Sequence, residues 1–435
     1  MPVLIATGCS SSLGSLALES FIHSLPSFGS PSWRIYAGYR SSSPPAHPPS
    51  PPPPHRLEWI SLNLESLVSV KAFADTIKSR EERVDVLWLN AATWDATPRE
   101  IVLGEQAWTR EAVVNHLAQH YLIHLLAAVL SHPIPANIAG EEGEGGGLPR
   151  ARIVITTSNL HKSIPSLDEI PALLRFPPSS SVSPLTPSPE ARTSSPPFES
   201  GSPASPKQPP AGQHRSTAKQ RYAASKAAQL LSAYWWRRYF STEYKSSSSS
   251  SVAGGIGERT RKVDVVAVSP GFVPSTNLSR DSNWLVRLLM RYVISWAPFA
   301  VSVEEGAARI ARCLPISTTT NNISSSTNTN TIPASDAQSA PTLDAGSDPV
   351  EPLLAALPPS QILYLSLPST APLPSPSPSP SSGGEGYTVS GGAVGRWAAE
   401  VSVETGGEDE NWEEVERLGV LPGRGEMDRW ASSSS

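Results

Sequence analysis

A tyrosine and a lysine four residues apart are the side chains of this sequence with the clearest chemical use. Tyr222 and Lys226 belong to the string Tyr-Ala-Ala-Ser-Lys, which leads into a run of small and apolar residues that predicts a helix. A spacing of four places both side chains on one face, one turn apart. A free tyrosine has a pKa of about 10, and a nearby ammonium lowers it by stabilising the phenolate. The pair can therefore act as a general acid or base, although isolated pairs also arise by chance on amphipathic helices.

The N-terminal residues predict an anion-binding turn. An apolar run over residues 2–6 indicates a buried strand, and it continues as Thr-Gly-Cys-Ser-Ser-Ser-Leu-Gly into a helix with apolar periodicity. Backbone N–H groups and the helix dipole at such a turn bind phosphate groups, and small residues let the backbone approach them. The residues that we expect around a pyrophosphate are Gly8, Ser10, Ser11, Ser12, Leu13 and Gly14.

This turn resembles the Thr-Gly-x-x-x-Gly-x-Gly motif of the short-chain dehydrogenase/reductase family. The match includes Thr7, Gly8 and Gly14, and the chain departs from the motif at Ser12, where the family usually has glycine. A serine there can donate a hydrogen bond instead. Four further strings are similar to family motifs and occur in the family's order: 85–92 (fourth strand and Asn-Asn-Ala-Gly signature, with Leu89 and Ala92 departing), 114–117 (catalytic asparagine), 152–158 (catalytic serine) and 263–271 (sixth strand and Pro-Gly turn).

Two branches of the family share details with this chain. Residues 115–117, 157–161 and 270–280 resemble the retinol dehydrogenase and protochlorophyllide reductase-like branch. The Asn-Ala-Ala string after the fourth strand and the residue at Ser12 are similar to those of fungal 3-ketosteroid reductases. Both branches stay open on the sequence.

The order of the predicted elements favours an α/β fold with a single Rossmann-like, doubly wound parallel sheet. Strands alternate with helices along the chain, as parallel sheets require. Besides the strands already described, the patterns predict strands over 33–40, 57–64 and, at an edge, 361–367, and helices over 65–80, 106–130, 220–240 and 303–313.

The composition divides the chain into one catalytic domain and segments of low complexity. The 45 prolines and the long serine runs remove much of the 435 residues from any core. We expect a domain over 1–315 with disordered insertions at about 41–55, 177–213 and 246–251, where loops tolerate them. A low-complexity segment over 316–385 and an acidic C-terminal tail over 386–435 are expected to follow.

The family resemblance implies a role for each residue of a catalytic set. Tyr222 would give or take the proton of the substrate oxygen, and Lys226 would lower the pKa of Tyr222 and hold the nicotinamide ribose. Ser158 would bind the substrate oxygen, and Asn115 would hold a water that links Lys226 to solvent. The interval between Ser158 and Tyr222 is longer than usual in the family, and the Ser/Pro insertion between them accounts for it.

The end of the second strand bears on the choice of cofactor. That strand ends without a carboxylate, and Arg40 can bind a 2′-phosphate bidentately, so the sequence favours NADP(H) over NAD(H). Asn63 and Leu64 occupy the family's position near the adenine. The remaining residues that the resemblance places at the cofactor are Asn90, Ala91, Tyr222, Lys226, Pro270, Gly271, Val273 and Ser275.

Charge and the remaining motifs restrict the partners. The net charge of -5 gives no electrostatic reason to bind nucleic acid, and two cysteines without a signal peptide indicate the reducing cytoplasm. The apolar stretch over 284–300 is interrupted by arginines. It leaves open a lid over the substrate, a peripheral contact with an intracellular membrane, or a helix on the domain's own core. The histidines at 116, 120 and 124 lack partner ligands, so we expect no metal.

The sequence therefore predicts an NADP(H)-dependent carbonyl reductase or alcohol dehydrogenase. Its substrate would be an apolar small molecule such as a retinoid, a sterol or a polyketide-like ketone. The alternative is a catalytically weak member in which the nucleotide-binding fold acts as a sensor or interaction module. Departures from the motifs at Ser12 and Ala92 favour that alternative, and the intact catalytic set disfavours it. Assembly into a homo-oligomer stays open.

Overall fold

The computed structural model describes most of the expected catalytic domain and part of the C-terminal region. Statements about the structure below concern these residues only. They are 1–10, 12–25, 32–46, 48–132, 150–176, 216–249, 261–274, 300–315, 350, 353–354, 357, 362–366, 393–394, 397–398 and 410–433.

A seven-stranded sheet in which all strand pairs are parallel organises the protein, in the order β3-β2-β1-β4-β7-β8-β9. The order reverses between β1 and β4, which is the switch point of a doubly wound, Rossmann-like sheet. The predicted fold class is thus confirmed. The strands are β1 Val3–Ala6, β2 Arg34–Tyr39, β3 Arg56–Ser61, β4 Val86–Leu89, β5 Glu100–Leu103, β6 Gln106–Thr109, β7 Ala151–Thr156, β8 Val263–Val268 and β9 Leu363–Leu365.

The central strands are buried on both faces, which explains why they consist of almost uninterrupted apolar runs. In β1, Val3 and Ile5 belong to one hydrophobic core and Leu4 and Ala6 to the other, as the alternation of a strand requires. Helices α2, α3 and α5 cover the first face, and α1 and α6 cover the second. The helices are α1 Ser12–Ser24, α2 Leu67–Lys78, α3 Arg110–Leu130, α4 Glu169–Leu174, α5 Ala218–Ser249, α6 Val303–Ala311, α7 Glu410–Arg417 and α8 Arg424–Ser433.

A β-hairpin replaces the start of one predicted helix. The sequence predicts helix from residue 106, but Gln106–Thr109 pairs antiparallel with Glu100–Leu103. Gly104 forms the turn with φ +61°, a conformation that glycine adopts without strain. The hydroxyl of Thr109 then accepts a hydrogen bond from the backbone N–H of Ala112 and begins α3. Local periodicity does not separate this short strand from the apolar helix that directly follows it.

The C-terminal residues differ from the predicted acidic tail. Helices α7 and α8 lie against the core through Val415, Met427 and Trp430, which are all buried. His116 bonds the carbonyl of Val420 at 2.6 Å, and the hydroxyl of Tyr121 donates to Asp428. The helices are anchored by a few apolar residues among many charged ones, so the composition of this region suggests a solvated tail.

The predicted insertions have different outcomes. Residues 41–46 and 48–55 lie within the described part of the chain, and at the end of this segment the buried ring of His55 accepts a hydrogen bond from the backbone of Trp33; disorder of the rest of the insertion stays a prediction. Helix α5 continues to residue 249, into the serine run expected as a loop over 246–251. The insertion over 177–213 lies outside the described residues. The short run expected as an edge strand over 361–367 forms β9, which pairs with β8.

Candidate functional site

A cleft of about 1430 Å³ lies along the carboxyl ends of the parallel strands. Open α/β sheets bind ligands at this edge, next to the switch point of the strand order. The cleft has room for a dinucleotide and a small molecule together, since pockets for single drug-sized ligands measure about 300–1,000 Å³. The predicted site residues that line it are Gly8, Ser10, Leu13, Gly14, Arg40, Asn63, Leu64, Asn90, Ala91, Ser158, Tyr222, Lys226, Pro270, Gly271 and Val273.

The turn between β1 and α1 is closely packed around two glycines. Gly8 has φ +69°, and a Cβ there would meet the backbone of Ala91 at 2.6 Å. A Cβ on Gly14 would meet the carbonyl oxygen of Gly8 at 2.2 Å, so both positions exclude side chains. The Ser12 hydroxyl is buried without a hydrogen-bond partner among the described residues, and it does not line the cleft. Ser11 lies outside the described residues.

Thr7 joins this turn to the segment after β4. Its hydroxyl accepts hydrogen bonds from the backbone N–H groups of Asn90, at 3.0 Å, and Ala91, at 3.2 Å. The Asn90 side chain donates in turn to the carbonyl of Gly8 at 3.1 Å. The small-residue turn and the Asn-Ala-Ala string thus form one rigid wall of the cleft, which suits the pyrophosphate and ribose of a dinucleotide.

The expected 2′-phosphate residue is not a free cation. Arg40 donates to the carboxylate of Glu65 at 2.8 Å, and Arg110 donates to the same oxygen from two nitrogens at 2.9 and 2.7 Å. The sequence has no carboxylate at the end of β2, but Glu65, which follows β3 and was not among the predicted site residues, also lines the cleft. Asn63 lies beside it and accepts a hydrogen bond from the backbone of Glu65. Arg40 itself lines the cleft, and its side chain is 40% exposed.

The structure brings three of the four predicted catalytic residues together. Tyr222 and Lys226 lie on α5, and Ser158 follows β7 and forms a hydrogen bond with Tyr222. Burial raises the pKa of Tyr222 above its usual value, and the hydrogen bond with Ser158 opposes this. The Lys226 ammonium lies 5.8 Å from the ring centre of Tyr222 and donates to the carbonyl of Thr156, so the expected lowering of the Tyr222 pKa by Lys226 stays a prediction.

Lys226 is buried and has no carboxylate beside it among the described residues. Its ammonium donates to the carbonyl of Thr156 and to the side chain of Gln229, each at 3.0 Å. Burial lowers the pKa of Lys226 to about 7, because the charged form loses its hydration. The amine is thus poised to change its charge near neutral pH.

Asn115 lies behind the cleft rather than in its wall. It occupies a π-helical turn, Val113–Leu117, within α3. Its side-chain oxygen accepts from the backbone N–H of Thr93, and its nitrogen donates to the carbonyl of Thr93 and to the hydroxyl of Ser225. These bonds join α3, α5 and the segment after β4, so Asn115 supports the site. Its expected contact with a water beside Lys226 stays a prediction.

The indole of Trp94 covers Tyr222, and Trp94 was not among the predicted site residues. The two ring centres are 4.9 Å apart. Hydrogen bonds of the adjacent residues hold this contact. Arg221, next to Tyr222, donates to the carbonyl of Asp95, next to Trp94, at 2.7 Å, and also to Glu111 at 3.2 Å. No periodicity or motif in the sequence marks these contacts, since they join segments more than a hundred positions apart.

The Pro-Gly turn after β8 closes the far end of the cleft. Gly271 has φ +88°, and a Cβ there would meet the Val301 side chain at 2.6 Å. Pro270 and Val273 line the cleft beside it. Ser275 and residues 284–299 of the predicted amphipathic stretch lie outside the described residues.

The three histidines of α3 pack in the protein interior against α5 and the C-terminal segment. His120 bonds Ser232 at 2.7 Å and lies next to the ring of Trp236. No group of three or more His, Cys, Asp or Glu within the described ranges could hold a metal ion. Helix α3 is long and apolar enough to cross a membrane, but most of its apolar window is buried inside the protein, as in a core helix.

Comparisons with known proteins give a partial sequence match and alignments with solved structures at low TM-scores. No family model matches the chain. Over 116 residues the chain is 30% identical to a short-chain dehydrogenase/reductase of Pestalotiopsis microspora; the match covers 26% of this chain and 34% of that protein. The chain thus spans about a third of the length of this relative. The match supports the family resemblance and does not separate its branches.

Several solved structures align with this chain at TM-scores of 0.35 to 0.40. A short-chain dehydrogenase/reductase of Saccharomyces cerevisiae aligns with 72% of this chain and 89% of its own, at 12% identity and TM-score 0.40. A Burkholderia cenocepacia short-chain dehydrogenase in complex with NADP aligns over 71% and 89%, at 16% identity and TM-score 0.39. An NADPH-bound carbonyl reductase from chicken fatty liver aligns over 70% and 88%, at 16% identity and TM-score 0.35. At these values the likeness does not extend to function.

Proposed function

We propose that this chain is a short-chain dehydrogenase/reductase that uses NADP(H) to interconvert a carbonyl and an alcohol on an apolar small molecule. The observation that carries the proposal is the arrangement of one cleft. One end of the cleft is formed by the turn with Gly8 and Gly14, and the other end contains Ser158, Tyr222 and Lys226. Neither end alone is specific, whereas both in one cleft suit a dinucleotide and a reacting substrate.

Each residue of the site has a defined part in the reaction. The nicotinamide, when bound, supplies or accepts the hydride. Tyr222 transfers the proton to or from the substrate oxygen, which must accompany the hydride to balance charge. Ser158 donates a hydrogen bond to that oxygen and stabilises its negative charge. Lys226 supplies positive charge under Tyr222, and this favours the phenolate that the high pKa of the buried tyrosine otherwise disfavours.

The proposed preference for NADP(H) rests on Arg40. Its NH1 group is fixed by Glu65, and Arg110 fixes Glu65 in turn. The guanidinium is thereby held in place, and we expect its other donors to meet a 2′-phosphate; pre-organisation reduces the entropic cost of binding. The adjoining carboxylate subtracts from the attraction, so the preference depends on the bonds that Arg40 makes with the phosphate.

The proposal of an apolar substrate is based on the residues that line the cleft around Tyr222. Trp94, Leu160 and Phe272 line this end of the cleft, and the Trp94 indole lies on the tyrosine ring. Aromatic and aliphatic walls favour a substrate that buries apolar surface beside its carbonyl. A retinoid, a sterol and a polyketide-like ketone all have this character. The proposal therefore includes all three substrates and both family branches.

A catalytically weak nucleotide sensor is the second candidate. It is favoured by one observation, namely that Lys226 bonds Thr156 and Gln229 rather than the hydroxyl of Tyr222. Both candidates bind a dinucleotide, so binding does not separate them, and only the enzyme consumes it.

The deciding experiment measures NADPH and NADH oxidation by the full-length protein against a panel of ketones and aldehydes that includes retinoids and sterols. Calorimetric titration of both cofactors accompanies it. Binding with turnover that Ser158→Ala abolishes supports the enzyme. Tight binding without turnover of any member of the panel supports the sensor, and absence of binding contradicts both. Ser163→Ala, which removes an exposed hydroxyl a few residues along the chain, is the matched control.

A further inference from the structure

Two buried glutamines lie in line behind Lys226. The Lys226 ammonium donates to Oε1 of Gln229 at 3.0 Å, and Nε2 of Gln229 donates to Oε1 of Gln119 at 2.9 Å. Gln119 comes from α3 and the other two residues from α5, so the chain of hydrogen bonds crosses the interface between the helices. At most 3% of any of the three residues is exposed, which removes them from competing water.

The bonds of Gln119 to two backbone carbonyls determine the direction of both hydrogen bonds in the Lys226–Gln229–Gln119 series. Nε2 of Gln119 lies 2.6 Å from the carbonyl oxygen of Ala91 and 3.1 Å from that of Val114. A carbonyl only accepts, so Gln119 must present its NH₂ group there and its oxygen to Gln229. Gln229 must then donate to Gln119 and present its own oxygen to Lys226. The chain therefore always offers the lysine an acceptor.

We propose that Gln119 and Gln229 are positioning residues that hold the Lys226 ammonium at the base of the reaction site. The proposal rests on the proposed function, in which Lys226 is the lysine of the proton-transfer pair. A fixed acceptor favours the charged lysine and determines where its ammonium points. The carbonyl of Thr156 occupies a second donor and leaves the third for the cleft.

Other groups around Lys226 do not take over this task. The side-chain amide of Asn115 is engaged by Thr93 and Ser225. The titratable side chain that faces the ammonium is Tyr222, and burial is the cause of the lowered lysine pKa. Within the described part of the chain, Gln229 is thus the side chain that offsets the desolvation of Lys226.

The sequence alone does not show that these two glutamines form a hydrogen bond with each other. Gln229 follows Lys226 by three positions on α5, and Gln119 follows Asn115 by four on α3, so each glutamine lies on the same helix face as a predicted catalytic residue. Only the packing of α3 on α5 shows that their amides meet.

The test is an NMR titration of the lysine ¹³Cε resonances in the full-length protein, with Lys226 assigned from its absence in Lys226→Met. The expected pKa of Lys226 is about 7. Gln229→Leu removes the acceptor and should lower this pKa by about 1, because a hydrogen bond to a charged group is lost. Gln229→Glu keeps the shape, adds a carboxylate and should raise it. Opposite shifts in the two variants cannot arise from general damage to the fold.

Two further variants complete the experiment. Gln119→Leu frees the Gln229 amide to rotate and should lower the pKa of Lys226 in the same direction as Gln229→Leu. Gln220→Leu, at the exposed start of α5, should leave it unchanged. An unchanged pKa in the Gln229 and Gln119 variants, or shifts of one sign in Gln229→Leu and Gln229→Glu, overturns the proposal. Where Gln229→Leu does not fold, Gln229→Glu and Gln119→Leu decide. No cofactor or substrate is added, so failure of the proposed oxidoreductase activity would be seen separately in the turnover assay.

Discussion

The ammonium of Lys226 lies 5.8 Å from the ring centre of Tyr222 and donates no hydrogen bond to its hydroxyl in this structure. Burial shifts the two pKa values apart, lowering that of the lysine to about 7 and raising that of the tyrosine. Both neutral forms are favoured by the same loss of hydration. A charged ligand or reacting oxygen in the cleft changes this balance, so the proposed chemistry depends on what the cleft binds.

Arg40→Asp should weaken NADPH binding by about ten- to a hundredfold while sparing NADH. The change removes a charge-assisted hydrogen bond of roughly 1.5–3 kcal/mol to the 2′-phosphate. It also places a second carboxylate beside Glu65, which repels the phosphate. Calorimetric titration of both cofactors against both proteins measures the effect.

Arg80→Asp is the matched control for this experiment. Arg80 also pairs with a glutamate, Glu58, but it lies outside the cleft. Its replacement should leave both affinities unchanged. If wild type binds NADH as tightly as NADPH, or if Arg40→Asp loses both cofactors equally, Arg40 does not select the cofactor.

The free energy of unfolding should fall as the pH drops from about 6.5 towards 4. Burial lowers the pKa of several histidines, so the folded state keeps them neutral at a pH where the unfolded chain, with a pKa of about 6.5, takes up protons. Each histidine whose pKa falls to about 4 contributes roughly 3 kcal/mol that is present above pH 6.5 and lost by about pH 4. The histidines with a pKa of about 4 are His116, His124 and His161, and that of His120 is also well below its usual value.

Urea unfolding at a series of pH values measures this dependence. His116→Gln retains a donor for the carbonyl of Val420 and removes one titrating group, so the stability of this variant should depend less on pH. His23→Gln, at an exposed position on α1, should leave the dependence unchanged. Equal slopes for wild type and His116→Gln would contradict the interpretation.

The sequence was informative where a local pattern determines the structure. Strands β1, β4, β7 and β8 are buried apolar runs, and the order of motifs along the chain predicted the sheet and the ends of the cleft. Contacts between distant segments left no local pattern. The pairing of Arg40 with Glu65, the cover of Trp94 over Tyr222 and the docking of α8 on α3 all depend on packing between elements.

Deleting residues 178–213 and joining the ends should leave the domain folded. The segment is rich in serine and proline, and a long loop of this kind contributes little to a core. The residues that flank it are held independently, since the backbone of Phe176 bonds Ala107 and the carbonyl of Ser216 accepts from Arg221. A melting temperature within a few degrees of wild type is expected, and insoluble product would show that the segment packs.

Removing residues 410–433 is the contrasting deletion. It exposes Tyr121 and the histidine face of α3, and it removes the buried side chains of Val415, Met427 and Trp430. Loss of this apolar contact should lower the melting temperature much more than the loop deletion does. Equal melting temperatures for the two deletions would contradict the view that the C-terminal helices belong to the core.

The turnover of Tyr222→Phe tests the central proposal most directly. The change removes only the hydroxyl that transfers the proton, so NADPH should bind nearly as in wild type while turnover of a carbonyl substrate falls by orders of magnitude. Tyr234→Phe removes a buried hydroxyl from the same helix outside the cleft and should retain turnover. Near wild-type turnover in Tyr222→Phe would contradict the assignment of Tyr222 as the proton-transfer residue.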